Sequence, residues 1–184
     1  MPKKASISKD MIVKCAMEFA QDGKEYSVRT IASKLGCSIQ PIFYNFATMD
    51  ELKFEVEKQI ADLFSKYVFE QENLGIYPKY KSIGMSYISF ARDYPQFFKI
   101  LFMSENGTSI LGANSATQAE TINILTTQFG CDKHTAMRFQ TEMWVFVHGF
   151  ATMIATKYIG WDEESVSEML TDMFEGLKLK LGLK

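Results

Sequence analysis

Residues 27–46 read SVRTIASKLGCSIQPIFYNF, a helix, a tight turn and a second helix. Val28, Ile31, Ala32 and Leu35 recur at i, i+3, i+4 and i+7, one apolar stripe on a short helix. Gly36-Cys37 predicts the turn, since a glycine after the last periodic residue is the usual helix stop. Ser38 stands where an N-cap belongs, and Ile42 and Phe46, four apart, point back to the first helix. Gln40, Pro41, Tyr44 and Asn45 are left with little core to face. Such a helix, pinned by one apolar edge with polar and aromatic groups outward, suits a helix-turn-helix recognition element. Pattern alone fits two small helices of an ordinary bundle equally well.

The surroundings break that tie. The segment continues as ATMDELKFEV and is preceded by MIVKCAMEFAQDG. Ile12, Ala16, Phe19 and Gly23, then Ser27, Arg29, Ile31-Ala32, Gly36, Ser38, Phe43-Tyr44, Phe46 and Glu51-Leu52 carry a resemblance to the N-terminal DNA-binding domain of the TetR family of transcriptional regulators. It spans about residues 8 to 56, roughly a quarter of the chain. The resemblance implies a three-helix DNA-binding unit with residues 39–46 as recognition helix, a homodimer, and a larger helical C-terminal domain that senses a small molecule. Departures from the family pattern are Phe43 where tyrosine is common, and Ala47 and Met49 where lysine is common. Each lost phosphate contact weakens the salt-dependent part of binding.

The chain has 184 residues, net charge −2, 47% hydrophobic and 23% charged residues, an ordinary globular composition. It does not have the charge of a protein that coats nucleic acid indiscriminately. Residues 1–47 hold seven Lys/Arg against four acids, a balance of +3, which leaves −5 for the rest. A mildly basic head on an acidic body suits a site-specific DNA binder. No apolar run reaches membrane-span length, and MPKKASISKD lacks the apolar stretch of a signal peptide. Cys15, Cys37 and Cys131 share no CxxC spacing and read as reduced thiols of a cytoplasmic protein.

Along the chain, Ser8 caps helix 1 with Ile7 and Ile12 as a staple, behind a loose arm bearing Lys3 and Lys4. Ile12, Cys15, Ala16, Phe19 and Ala20 form its stripe, and Ser27 caps helix 2. Pro41, third in helix 3, and Gln40 before it predict a tight or irregular start. Thr48-x-x-Glu51 reads as a capping box opening helix 4. Its stripe of Leu52, Val56, Ile60, Leu63 and Tyr67 continues to about Glu72. Pro78 opens helix 5, with Tyr80, Ile83, Tyr87 and Phe90 as its stripe, and Pro95 opens helix 6. SENGTSILGA, 104–113, is a connection. Ser115-x-x-Gln118 caps helix 7, with Ala119, Ile122, Thr126 and Phe129 inward and Gly130 as its stop. Helix 8 spans about Lys133 to Tyr158, with Ala136, Phe139, Met143, Val147, Phe150, Ile154 and Tyr158 inward. Asp162 caps helix 9, with Trp161 and Val166 as staple. The expectation is an all-α fold of about nine helices. Residues 1–52 form the helix-turn-helix domain and 53–184 the ligand-binding and dimerisation domain, helix 4 connecting them.

The candidate DNA-binding residues are Ser27, Arg29, Ser38, Ile39, Gln40, Pro41, Phe43, Tyr44, Asn45 and Thr48. Gln40 has the chemistry to read adenine bidentately or to bond phosphate. Tyr44 and Asn45 have reach to phosphate or base edges. Hydroxyls at helix starts, Ser27, Ser38 and Thr48, suit phosphate, and Arg29 is the best single cation near a groove. Ile39 either completes the core stripe or touches a thymine methyl.

The body carries no catalytic constellation and no metal set; His134 and His148 are its histidines. Trp144-x-x-x-His148-Gly149 and YPQFFKILFM (94–103) are similar to the C-terminal domain of one TetR-family branch. His148 reads as a core histidine satisfied by a neighbour, or as a ligand contact. Tyr87, Phe90, Phe98, Leu101, Phe102, Met143, Trp144, Val147, His148, Phe150 and Ala151 are the candidate effector-binding residues, an apolar and aromatic set otherwise explained as core. The function expected is a ligand-responsive, sequence-specific transcriptional repressor. Its partners are double-stranded operator DNA, an apolar or aromatic effector and a second copy joined through helices 8 and 9, with no cofactor and no membrane. The alternative is a helical small-molecule-binding or scaffold protein that has lost operator binding, for which Phe43, Ala47 and Met49 argue.

Overall fold

The computed structural model describes residues 7–104, 115–160 and 162–183, with the backbone alone over 115–118. The Lys3–Lys4 arm, the connection over 105–114, the side chains of the Ser115–Gln118 cap and the Trp161 half of the staple lie outside the described residues.

The fold is all-α, with nine helices among the described residues. They are α1 (Lys9–Gln21), α2 (Val28–Lys34), α3 (Gln40–Asn45), α4 (Met49–Asn73), α5 (Lys79–Asp93), α6 (Pro95–Phe102), α7 (Ser115–Phe129), α8 (Lys133–Ala155) and α9 (Glu163–Lys180). Their boundaries have local causes. The Ser8 hydroxyl accepts from the Met11 N–H at 3.2 Å. Ser27 and Thr30 exchange side-chain and backbone bonds in a full capping box. Thr48 Oγ1 accepts from Glu51 N–H at 3.1 Å, but Glu51 returns its carboxylate to the Ala47 N–H at 2.8 Å, one residue before the expected one. Asp132 caps α8 through the His134 and Thr135 N–H groups.

Helix α3 departs from expectation at its start. The N-cap is Ile39, already α-helical at φ −71°, ψ −18°, and no side chain caps it. Pro41 removes the N–H that a cap would serve, so Ser38 stays exposed and uncommitted. The helix closes with an i→i+3 bond from Ile42 N–H to the Ile39 carbonyl, the tight start that Pro41 predicts.

The first three helices share a core of Ile12, Ala16, Ile31, Ile42 and Phe46, each no more than 2% exposed. Helix α4 buries Leu52, Val56 and Ile60 and packs on α1, α5 and α6, so it touches both the head and the body. The body is built on α5 against α8, flanked by α6, α7 and α9. Helix α6 also packs on α1. At that junction Gly23 has φ +67°, and a Cβ there would stand 3.0 Å from the Gln96 side chain of α6.

Three apolar assignments need correction. Tyr158 is 81% exposed, because α8 ends at Ala155 and the chain turns away before that side chain reaches the core. Ala119 is exposed, and α7 instead buries Thr121, Ile122 and Leu125. Ile83 is half-buried, since α5 is covered on more than one side and buries Met85, Tyr87, Ile88, Phe90 and Ala91.

Candidate functional site

Two surfaces concentrate the chemistry. The first is the outer face of α2–α3. Ile42 and Phe46 are sealed at 1% and 2% exposure, while Tyr44 between them is 92% exposed. The i, i+4 pairing of the buried residues turns Phe43 and Tyr44 to solvent. Ser27, Arg29, Ser38, Ile39, Gln40, Phe43 and Thr48 are exposed with Tyr44. Ile39, at 43%, is therefore outside the core stripe. Two candidates differ. Pro41 is half-buried, and Asn45 turns its amide back to donate to the Pro41 carbonyl at 2.7 Å.

The charge on this face is selective. Lys34 pairs with Glu18 at 2.8 Å, Lys24 with Asp22 at 2.8 Å and Lys9 with Glu55 at 3.2 Å. Arg29 makes no ion pair among the described residues and stays exposed. Met49, where the family commonly has lysine, is half-buried against the core, so it serves packing. The turn between α2 and α3 rests on Gly36, at φ +63°, with Cys37 N–H bonding the Ala32 carbonyl at 3.0 Å. That left-handed closure sets the direction in which α3 leaves.

The second surface is internal. Tyr87 of α5 is its centre. Its ring meets Phe98 at 5.2 Å, Phe102 at 4.7 Å and Trp144 at 4.9 Å, centroid to centroid. Its hydroxyl bonds His148 Nδ1 at 2.9 Å, and Trp144 stacks on His148 at 5.7 Å. Burial raises the Tyr87 phenol pKa and lowers that of the His148 imidazole, so both neutral forms are favoured. Phe90, Leu101, Met143, Val147, Phe150 and Ala151 are buried in the surrounding core. Trp144 is 42% exposed and so reaches from this cluster to the surface.

One member was missed in the sequence. Phe64 of α4 packs edge-on against Tyr87, Phe90 and Phe102, at 5.9, 5.0 and 5.1 Å. Its place one turn beyond Ile60 was the available signal.

A family model described as the tetracyclin repressor-like C-terminal domain matches residues 80–177, just over half of the chain. The chain belongs to the TetR family. The N-terminal resemblance and the C-terminal match therefore meet in one TetR-family transcriptional regulator. Among solved structures, a TetR-like transcriptional regulator from Rhodococcus sp. RHA1 superposes with a TM-score of 0.66 at 14% identity, covering 93% of this chain and 95% of that one. The multidrug-binding protein EbrR, complexed with imidazole, superposes with a TM-score of 0.60 at 16% identity, covering 90% and 93%. No curated protein matches this TetR-family chain by sequence. None of the described helices is long and apolar enough to cross a membrane, and no three His, Cys, Asp or Glu among the described residues gather as a metal set.

Proposed function

We propose that this regulator is a repressor, released from its operator by a small apolar or aromatic effector. Residues 1–52 form the DNA-binding domain, and 53–184 bind the effector and the second subunit. The observation that carries this reading is the outer face of α3, where Tyr44 stands 92% exposed between two sealed core residues. Exposed aromatic and amide groups on a recognition helix have no folding role to explain them, and they suit base edges and phosphates. Gln40 and Tyr44 make the principal groove contacts, with Arg29, Ser27, Ser38 and Thr48 on the backbone. Ile39 and Phe43 supply apolar contact. Pro41 and Asn45 shape the helix rather than touch DNA, in keeping with the Asn45–Pro41 bond.

The effector opens the Tyr87–Phe98–Phe102–Trp144–His148 cluster, which is ring-packed in this structure. EbrR, described as a multidrug-binding protein, is a precedent for small-molecule binding on this fold. Phe64 joins that cluster to α4, and α4 begins at the Thr48 cap beside α3. A shift of the cluster is thereby transmitted to the head. The protein works as a regulator and not as a catalyst.

Dimerisation uses α8 and α9. Val166, Leu170 and Leu177 of α9 are buried within their own chain, where α9 packs on α5 and α8. The large apolar groups left outward are Met137, Trp144, Val145 and Met153 on α8 and Met169 and Leu179 on α9. Those form the proposed contact, and twofold symmetry doubles the DNA contacts of a small head.

Selection of bound sequences from random DNA, followed by salt-titrated binding, tests the function. A TetR-like repressor selects a two-fold symmetric site whose half-sites lie about one helical turn apart, ~34 Å. Failure to enrich any sequence would favour a helical small-molecule-binding protein without an operator.

A further inference from the structure

Where α5 gives way to α6, beside the C-terminal end of α8, the surface holds a groove of about 190 Å³. Arg92, Pro95, Ile154, Lys157 and Ile159 line it, none of them part of the aromatic cluster around Tyr87. Pro95, Ile154 and Ile159 make an apolar floor, and the two remaining residues are cations. Lys157 is the one non-glycine with positive φ among the described residues, at +59°. It closes α8, with its N–H on the Ile154 carbonyl at 2.9 Å and the Tyr158 N–H on the Met153 carbonyl at 2.9 Å. Glycine would hold such a closure without strain. The chain has a lysine there instead, with its side chain at the groove. Arg92 is held in place by two bonds to Asp93, at 2.6 and 2.9 Å, and Asp93 Oδ2 also accepts from the Tyr67 hydroxyl at 2.7 Å. Asp162, the acid nearest in sequence after Lys157, accepts from the Ser165 N–H at 3.1 Å, and Glu163 accepts from the Tyr77 hydroxyl. Lys157 makes no ion pair among the described residues.

A positioned guanidinium and an ammonium over an aliphatic floor complement one ligand chemistry, an anion with a short apolar tail. We propose that this groove binds a small aliphatic carboxylate, its headgroup at Arg92 and Lys157 and its tail on Pro95, Ile154 and Ile159. An anion there competes with Asp93 for Arg92, at the contact that ties α5 to Tyr67 of α4. The site does not depend on the aromatic cluster binding an effector.

Calorimetric titration of the full chain with hexanoate, hexan-1-ol and acetate tests it. Hexanoate binds saturably, and hexan-1-ol and acetate bind at least about tenfold more weakly, since each lacks one half of the recognised chemistry. Lys157→Gly lowers hexanoate affinity by about tenfold, with no fall in its thermal midpoint, because glycine relieves the backbone. If that midpoint does fall, Lys157→Asn, which also tolerates the left-handed region, takes its place in the comparison. The proposal is overturned by the absence of saturable hexanoate binding at millimolar concentration, by equal binding of hexan-1-ol or acetate, or by wild-type hexanoate affinity in the neutral Lys157 variant. That last outcome would put the acid in the aromatic core.

Discussion

Tyr44 and His148 show two opposite fates for a polar ring. Tyr44 faces water because the helix that carries it buries its neighbours on the other side. Replacing Tyr44 or Gln40 with alanine should therefore leave the thermal midpoint nearly unchanged and weaken operator binding by ~1–3 kcal/mol each. Wild-type operator affinity in both variants would remove α3 from the interface. His148 is half-buried and bonded to Tyr87. Burial holds its pKa below the ordinary value, so the unfolded chain binds more protons below about pH 6.5. The sign follows: stability associated with His148 is present above that pH and is lost as pH falls towards the depressed folded value. Denaturant titrations at about pH 7.5 and 5.5, on either side of the ordinary imidazole value, should show a smaller acid loss for His148→Gln than for the wild type. An equal loss in the two proteins would mean that His148 is not the titrating group.

At the scale of elements, helix α9 shows how periodicity misassigns a partner. Val166, Leu170, Met173, Leu177 and Leu181 make a stripe wide enough to suggest a second subunit. In the fold, α5 and α8 of the same chain bury it, leaving Met173 and Leu181 half-buried. Leu170→Ala should therefore destabilise the folded chain by ~2–5 kcal/mol, as for any buried leucine. Val145, 66% exposed on α8, belongs to the other class. Val145→Glu should leave the fold intact and split the dimer, seen as a monomer by sedimentation at micromolar concentration. Unchanged sedimentation of that variant would move the dimer contact off this face of α8.

At the scale of the molecule, two of the contacts that join head to body lie on α4 and α6. One runs along α4 from the Thr48 cap to Phe64 in the aromatic cluster. The other is α6 against α1, where Gly23 meets Gln96. An effector acting through them changes operator affinity only by its differential affinity for the two states, typically ~1–3 kcal/mol of coupling, and the operator must weaken effector binding by the same factor. Phe64→Ala should reduce that factor in both directions while leaving the effector-free operator affinity close to wild type. An effector that binds the body at saturation without altering operator affinity would refute the coupling.

The sequence by itself determined the helices, the caps at Ser8, Ser27, Thr48 and Asp162, and the outward position of Gln40 and Tyr44. These follow from neighbours within one or two turns: Ser27 with Thr30, Gly36 with its left-handed turn, Ile42 with Phe46. It also marked Tyr87, Phe98, Phe102, Trp144 and His148 as one chemical set. Only the tertiary structure decided that Phe64 joins them and that α9 spends its stripe on its own chain. It alone paired Lys9 with Glu55 and Lys34 with Glu18 while leaving Arg29 exposed. Likewise, Arg92 and Lys157, 65 positions apart, line one groove only after α5 and α8 are packed together. The reason is range. A cap or turn is closed by backbone geometry over a few residues, whereas the partner of an apolar stripe or a charge depends on which distant helix arrives beside it, and one sequence's periodicity carries no record of that.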